Sequence, residues 1–160
     1  MTRPEPGGHS LETMFEEHVT TINHLELLMQ AIRAPRTARQ QAIPRYRELL
    51  VALLADLEEI VVKHFLFEER QLFPLLRQTG KAELAHELAR EHVAIQAATL
   101  PVVSHLHAAL AADPGENAWA EFGQLARKLA DMHRTHMQRE ESEMVPALRA
   151  MPEGEAAPAA

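Results

Sequence analysis

No cysteine occurs among the 160 residues, so disulfides, thiolate zinc sites, iron–sulfur ligation and cysteine nucleophiles are excluded together. Any metal must be held through nitrogen and oxygen. Positive charge is in deficit, with 16 Lys and Arg against 23 Asp and Glu and a formal charge of −7. That balance makes nucleic acid and anionic membrane surfaces poor partners. Long hydrophobic runs are also missing, and Met1 to Gly8 lack the basic-then-apolar pattern of a secretion signal. No membrane span is therefore expected, and a cytoplasmic protein is. Glycine numbers only 6 and β-branched runs are short, while Ala, Leu, Glu, Arg and Gln dominate. Such a composition favours helix almost throughout. The length suits a single domain over residues 10–150, with a flexible start at 1–9 and a disordered tail at 151–160.

Histidine, by contrast, is abundant: ten in the chain. It is the commonest metal ligand and proton carrier near neutral pH, so its placement decides the reading. Four helices are expected, and they organise it. The first runs from an N-cap at Ser10 to Arg33, closed by Pro35. For the second, Thr37 with Gln40 offers a capping box, but Pro44 suits a first turn better, and the helix should run to Leu72 with Pro74 breaking or kinking it before Thr79-Gly80. The third spans Lys81 to Ala112 with a kink at Pro101, and Pro114-Gly115 stops it. The fourth spans Glu116 to Met144, with Pro146 just beyond.

The chain also repeats. His64-Phe-Leu-Phe-Glu68-Glu69-Arg-Gln-Leu72-Phe-Pro74 aligns without a gap on His136-Met-Gln-Arg-Glu140-Glu141-Ser-Glu-Met144-Val-Pro146, an offset of 72. Glu17-His18-Val19 recurs as Glu91-His92-Val93, an offset of 74. Two helix pairs with matched landmarks imply an all-α bundle with internal two-fold pseudo-symmetry.

Apolar residues at spacings of three and four trace the inner stripe of each helix. They are Leu11, Met14, Ile22, Leu25 and Met29 in the first, and Leu50, Leu53 or Leu54, Leu57, Val61 and Leu72 in the second. The third gives Ala85, Leu88, Ile95 and Val102, and the fourth Phe122, Leu125, Leu129 and Met132. His18, His64, Glu68, His92, His136 and Glu140 fall on the same stripes and should face the interior. An unpaired carboxylate there costs several kcal/mol, more than one buried leucine contributes. No lysine or arginine shares those stripes at that height, so something cationic must sit in the middle.

Counting residues puts His92 and His136 level and His64 within about a turn of His92, while the match of His18 (15 residues to Arg33) with His64 (20 from Pro44) is poorer. His92 lies 20 residues before Ala112, and His136 lies 20 after Glu116; at ~1.5 Å per residue the two are level across their hairpin. Glu68 and Glu140 each follow a histidine by four, one turn along the same face. Four imidazoles and two carboxylates at one level suit a pair of transition-metal ions bridged by the carboxylates, with iron preferred and manganese or zinc as alternatives. His133, one turn before His136, could add a fifth nitrogen. Glu69 and Glu141 read better as neighbours of the ligands than as ligands. His9, His24, His86, His105 and His107 read as surface residues.

With these residues in hand, the sequence resembles the hemerythrin-like, or HHE cation-binding, family. The match rests on Glu17-His18, on His64-x-x-x-Glu68-Glu69 with Leu-Phe-Pro, on Glu91-His92, and on His136-x-x-x-Glu140-Glu141 with Met-Val-Pro, and it covers residues 10–150. It implies an up-down-up-down four-helix bundle holding a non-haem di-iron centre, oxo- or hydroxo-bridged (Fe–O–Fe). Glu68 and Glu140 would bridge, and His18, His64, His92 and His136 would be terminal ligands. Oxygen-carrying hemerythrins place paired histidines four apart in the third helix. Here the positions four either side of His92 are Leu88 and Gln96, which weighs against reversible oxygen transport. They also place the last carboxylate five after its histidine, which would select Glu141, whereas symmetry with Glu68 selects Glu140.

Two six-coordinate ions need more donors than these six residues supply, which leaves positions for an outside ligand. The expected function is therefore binding or sensing of oxygen, nitric oxide or iron. A redox enzyme acting in peroxide or nitric-oxide defence is the alternative, and a metal-free helical scaffold the third reading. Tyr46 and Trp119 lie 18 and 17 residues along their helices from His64 and His136, at least ~25 Å away, so no aromatic radical is expected beside the centre. A sensor would need a separate redox or signalling partner, or a homodimer interface.

Overall fold

The computed structural model describes residues 11–34, 43–59, 63–112 and 115–151, and among them only helix and short turns occur. In chain order the elements are α1 (Leu11–Arg33), α2 (Ile43–Glu59), α3 (Phe65–Phe67), a π-helical turn π1 (Glu68–Leu72), α4 (Phe73–Gln78), α5 (Ala82–Ala111), α6 (Glu116–Arg139), a second π-helical turn π2 (Glu140–Met144) and α7 (Val145–Arg149). Residues 63–78 and 116–149 are each unbroken helical backbone. The expectations for Ser10, Pro35, Thr37, Gln40, Val61, Pro114, His9, the tail beyond residue 151 and the burial of Leu11 and Met14 lie outside the described residues.

Composition sets the elements, and proline and glycine punctuate them. Pro44 occupies the first turn of α2, where its missing N–H costs nothing. Thr79 ends α4, and Gly80 follows at φ 81°. The N–H of Gly80 donates to Arg77 O at 3.1 Å and that of Lys81 to Leu76 O at 3.2 Å. This left-handed closure satisfies carbonyls the helix would otherwise orphan, and it suits glycine because a Cβ is strained at that φ.

Two proline expectations need correction. Pro74 does not break its helix, and Pro146 does not stop the last one; each lies in the first turn of an α segment that follows a π turn, in α4 and α7. An α-helical Pro74 would clash with the carbonyl of Arg70, and Pro146 with that of Ser142. The wider π turn, with bonds to the fifth residue, takes up the conflict without ending the helix. Pro101 sits inside α5, which runs through it from Ala82 to Ala111.

The π turns also set phase. His64, Glu68, Leu72 and Leu76 are all buried at strict intervals of four. At 100° per residue a regular helix would drift about 40° at each such step and turn the last of them well away from the first.

Each helix turns its inner stripe on its neighbours: α1 packs against α2 and α6, and α5 against α2, α4 and α6. The apolar residues separate into two clusters. The larger gathers Leu25, Leu28, Leu53, Leu57, Leu106 and Leu129 with Phe65 and Phe122. The smaller gathers Leu72, Phe73, Leu76, Leu84, Leu88 and Met144. On α6 the innermost residues are Phe122, Ala126, Leu129, Ala130 and His133, whereas Leu125 and Met132, expected on the stripe, are only half-buried. Small alanines there let α6 approach its partners closely, and Gly123 does the same, since a Cβ at that position would meet Ile32 of α1 at 3.2 Å.

One exclusion from the sequence needs qualifying. By length and composition Ala82–Ala111 is apolar enough to cross a membrane. In the fold it is a packed element, with eight buried residues along one side and His92 among them.

The face assignment can be tested within α5. Leu106 is fully buried while Leu100 on the same helix is 72% exposed. Leu106→Ala should cost about 2–5 kcal/mol and Leu100→Ala no more than about 0.5 kcal/mol, read as shifts in a chemical denaturation midpoint.

Candidate metal centre

Between the two apolar clusters lies a layer of polar side chains. His18 comes from α1 and His92 from α5; His64 immediately precedes α3, and Glu68 opens π1; His136 lies in the last turn of α6, and Glu140 opens π2. All six are at most 1% exposed. The structure therefore brings together every residue that the stripes nominated.

They form two groups within reach of a shared ion: Glu68, His92, His136 and Glu140, and His18, His64 and Glu68. The carboxylates divide their oxygens between the groups. Glu68 Oε1 lies 3.1 Å from His64 Nε2, and its Oε2 lies 2.9 Å from His92 Nε2. Glu140 Oε1 lies 2.8 Å from His136 Nε2, and its Oε2 lies 3.4 Å from His18 Nδ1. Each acid thus reaches one histidine of either group.

Short as these separations are, they are not hydrogen bonds. Both oxygens of Glu68 and of Glu140, Nε2 of His64 and both nitrogens of His18 are buried without a hydrogen-bond partner. Orphaned groups of this kind cost about 1–3 kcal/mol each, more when charged. His92 Nε2 and His136 Nε2 meet each other at 3.1 Å; donor atoms this crowded, most of them unpartnered, fit a cation in their midst, and the nitrogen and oxygen donor set suits iron, manganese or zinc.

The outward nitrogens are differently placed. His64 Nδ1 is 2.7 Å from Glu17 Oε2, His92 Nδ1 is 2.8 Å from Glu69 Oε1, and His136 Nδ1 is 2.8 Å from Glu91 Oε2. Each is a hydrogen bond from the ring N–H to a carboxylate on another helical segment. It leaves Nε2 facing inward, the arrangement that fixes a metal-ligating imidazole and raises its basicity. Glu91 is itself held by Arg139, which also pairs with Glu87 and Glu143. Glu69 is thus confirmed as a neighbour of the imidazoles. Glu17 and Glu91 received no role from the sequence, although their recurrence at an offset of 74 beside His18 and His92 was a visible signal.

The electrostatics follow from this geometry. Burial opposes the charged form of His64, but Glu17 and Glu68 outweigh it and raise its pKa to about 9. Burial acts likewise on His136, where Glu140 and Glu91 win and raise it to about 10. Burial pushes Glu68 up, yet the close imidazoles of His64 and His92 hold it well below the usual carboxylate range. For Glu140 burial comes first and the charge of Glu68 adds to it, lifting the pKa to about 8. His18 is driven well below 6.5 by burial and then by the charge of His64. Without an ion, imidazolium protons balance the buried acid.

The remaining histidines separate. His133 is 1% exposed and its ring carries no hydrogen bond, but it belongs to neither ion-binding group. His86 and His107 are exposed, as expected. His24 and His105 are half-buried instead: His24 pairs with Asp56 between α1 and α2, and His105 Nδ1 donates to Pro101 O at 2.8 Å. Trp119 packs on Phe122, ring centroids 5.9 Å apart, in the larger apolar cluster rather than at the centre.

Comparison with known proteins agrees with this arrangement. No curated protein matches the chain. The family model described as the hemerythrin HHE cation-binding domain matches residues 9–148, which include all six buried ligand candidates and the carboxylates around them, and the chain belongs to that family.

Proposed function

We propose that this chain is a non-haem di-iron protein that binds or senses a small ligand, oxygen or nitric oxide, or iron itself. In this reading the helices form an up-down-up-down four-helix bundle whose two halves repeat the same ligand pattern. One observation carries it: two fully buried glutamates each split their oxygens between two histidine groups, without hydrogen bonds to either. His18, His64, His92 and His136 would be terminal ligands, with Glu68 and Glu140 bridging. Iron held there would supply redox chemistry and open positions for a small molecule, with manganese or zinc as alternatives.

The chain's own residues define the setting. Glu17, Glu69 and Glu91 orient three imidazoles and hold their Nδ1 protons. Phe65 stacks on His92 with ring centroids 3.8 Å apart, and Phe73 lies at 5.3 Å, so the ring is clamped between apolar faces that keep water away. A redox enzyme of peroxide or nitric-oxide defence is the second reading. It is favoured by a cleft of about 560 Å³ between α5 and α6 that reaches Glu91, Ile95, Met132 and His136, room for a substrate or reductant beside the centre.

Three outcomes test the proposal. Elemental analysis of protein from iron-supplemented cells should find about two irons per chain, and Glu68→Gln or His64→Ala should leave less than one. A metal-free protein whose melting is indifferent to chelators would identify a scaffold instead.

Loading the metal-free protein at pH 7 should release protons. His64 and His136 titrate near 9 and 10, so both are charged at pH 7 and must lose a proton before they can ligate. An indicator dye in weak buffer reads the release, which should shrink when loading is done above pH 10.

Glu91→Gln should weaken metal affinity about 10–100-fold through the orientation of His136. Glu141→Gln, at an exposed position, should change it little. Competition with a chromogenic chelator measures both.

A further inference from the structure

Two buried polar groups have no part in the ligand set. Thr21 is 0% exposed and His133 1% exposed; the hydroxyl of Thr21 and both ring nitrogens of His133 have no hydrogen-bond partner. Thr21 is unusual among its kind. Thr20, Thr99 and Thr135 turn their hydroxyls onto the carbonyl four residues back, and Thr79 onto the one three back. Thr21 does not take that ready local partner.

The two groups lie on the same side of the centre. Glu26 of α1 pairs with Arg134 of α6, and Ile32 of α1 approaches Gly123 of α6, so these helices run antiparallel. Thr21 lies three residues beyond His18 and His133 three before His136. Both are therefore one turn from the centre, in the direction of the larger apolar cluster, on helices packed against each other. His18 and His136 are themselves 6.1 Å apart, ring to ring. Phe65 belongs to the same roof, with its ring 6.5 Å from His133 and 3.8 Å from His92.

The other half of the chain has nothing polar at these positions. The repeat that aligns His18 with His92 aligns Thr21 with Ile95, and the one that aligns His64 with His136 aligns Val61 with His133. Ile95 is buried in the apolar cluster. Of the two counterparts, the described one, Ile95, is apolar, whereas the flank over His18 and His136 carries a hydroxyl and an imidazole. Burial, then the charges of His136, His64 and His92, hold the His133 pKa at about 3, so the ring is neutral and offers one donor and one acceptor.

We infer that Thr21 and His133 are positioning residues that hydrogen-bond a small oxygen- or nitrogen-donor ligand held over the centre, and that they direct it to the flank formed by α1 and α6. The inference rests on the metal-binding reading above. It accounts for two orphaned polar groups beside the centre, since a ligand with lone pairs would accept from the Thr21 hydroxyl and from the ring N–H of His133. The two also give that flank a selectivity: a ligand able to hydrogen-bond is favoured there over one of the same size that cannot.

Azide serves as the probe, titrated into oxidised, iron-loaded protein and followed by its visible charge-transfer absorption. Thr21→Val and His133→Leu should each keep the iron content of the wild type and weaken azide binding about tenfold, the loss of one hydrogen bond. Thr21→Ser should bind azide within about twofold of wild type. Metal-free Thr21→Val should melt about 2–4 °C above the wild type, because an orphaned hydroxyl has been replaced by a methyl of like size. Unchanged azide affinity in both variants, with iron retained, overturns this inference alone. Loss of iron from His133→Leu overturns it too, by making His133 a ligand, and a lower melting point for metal-free Thr21→Val overturns it by revealing an internal partner. A wild type that takes up no iron overturns the metal-binding reading and this inference with it.

Discussion

Two carboxylates in a dry interior are the constraint around which this protein is built. Glu68 and Glu140 are both fully buried, and desolvation of even one charged acid is expensive enough to undo several apolar contacts. The compensation comes from imidazoles on every side, two of which carry protons when no cation is present. The same atoms can serve either bookkeeping, protons or metal, because the inward nitrogens are those that a cation would use. Apolar clusters above and below seal the layer, so the electrostatics are settled locally rather than by solvent.

The helices are joined through this layer more closely than by apolar packing alone. His64 is held from α1 by Glu17, His92 from π1 by Glu69, and His136 from α5 by Glu91. Each imidazole is therefore oriented by a segment other than its own. Arg139 extends one of these chains, bracing Glu91 while Glu91 braces His136. His18 is the exception: neither of its ring nitrogens makes a hydrogen bond, and burial, then the neighbouring His64, drive its pKa well below the usual value. The group that includes His18 is consequently the less rigidly framed of the two.

Much of the candidate site was legible because it obeys one-dimensional rules. Spacing of three and four put His18, His64, Glu68, His92, His136 and Glu140 on inward stripes, and equal residue counts from His92 and His136 to their shared turn put those two rings at one height. What escaped depends on the third dimension or on local departures from α geometry. Glu17 and Glu91 act on histidines of neighbouring helices, a relation no helical wheel displays. Pro74 and Pro146 read as terminators because the rule assumes an α turn before them; a π turn removes the clash and lets the helix continue. Met132 and Leu125 read as core on hydrophobicity, but close approach of α1 and α6 favours the small side chains of Ala126 and Ala130, and this turns His133 inward. The half-burial of His24 and His105 likewise comes from pairing with Asp56 and with a carbonyl, which composition does not reveal.

The carboxylates outside the histidines have a consequence of their own. Glu17, Glu69 and Glu91 are 25%, 39% and 28% exposed, whereas the rings they bond are at most 1% exposed. Each imidazole therefore has one nitrogen in a sealed chamber and the other a single carboxylate away from bulk solvent. The outer N–H of each ring thus sits against a carboxylate that bulk solvent can reach. Insulation from solvent and electrical contact with it, usually opposed requirements, are met here by the two ends of one five-membered ring.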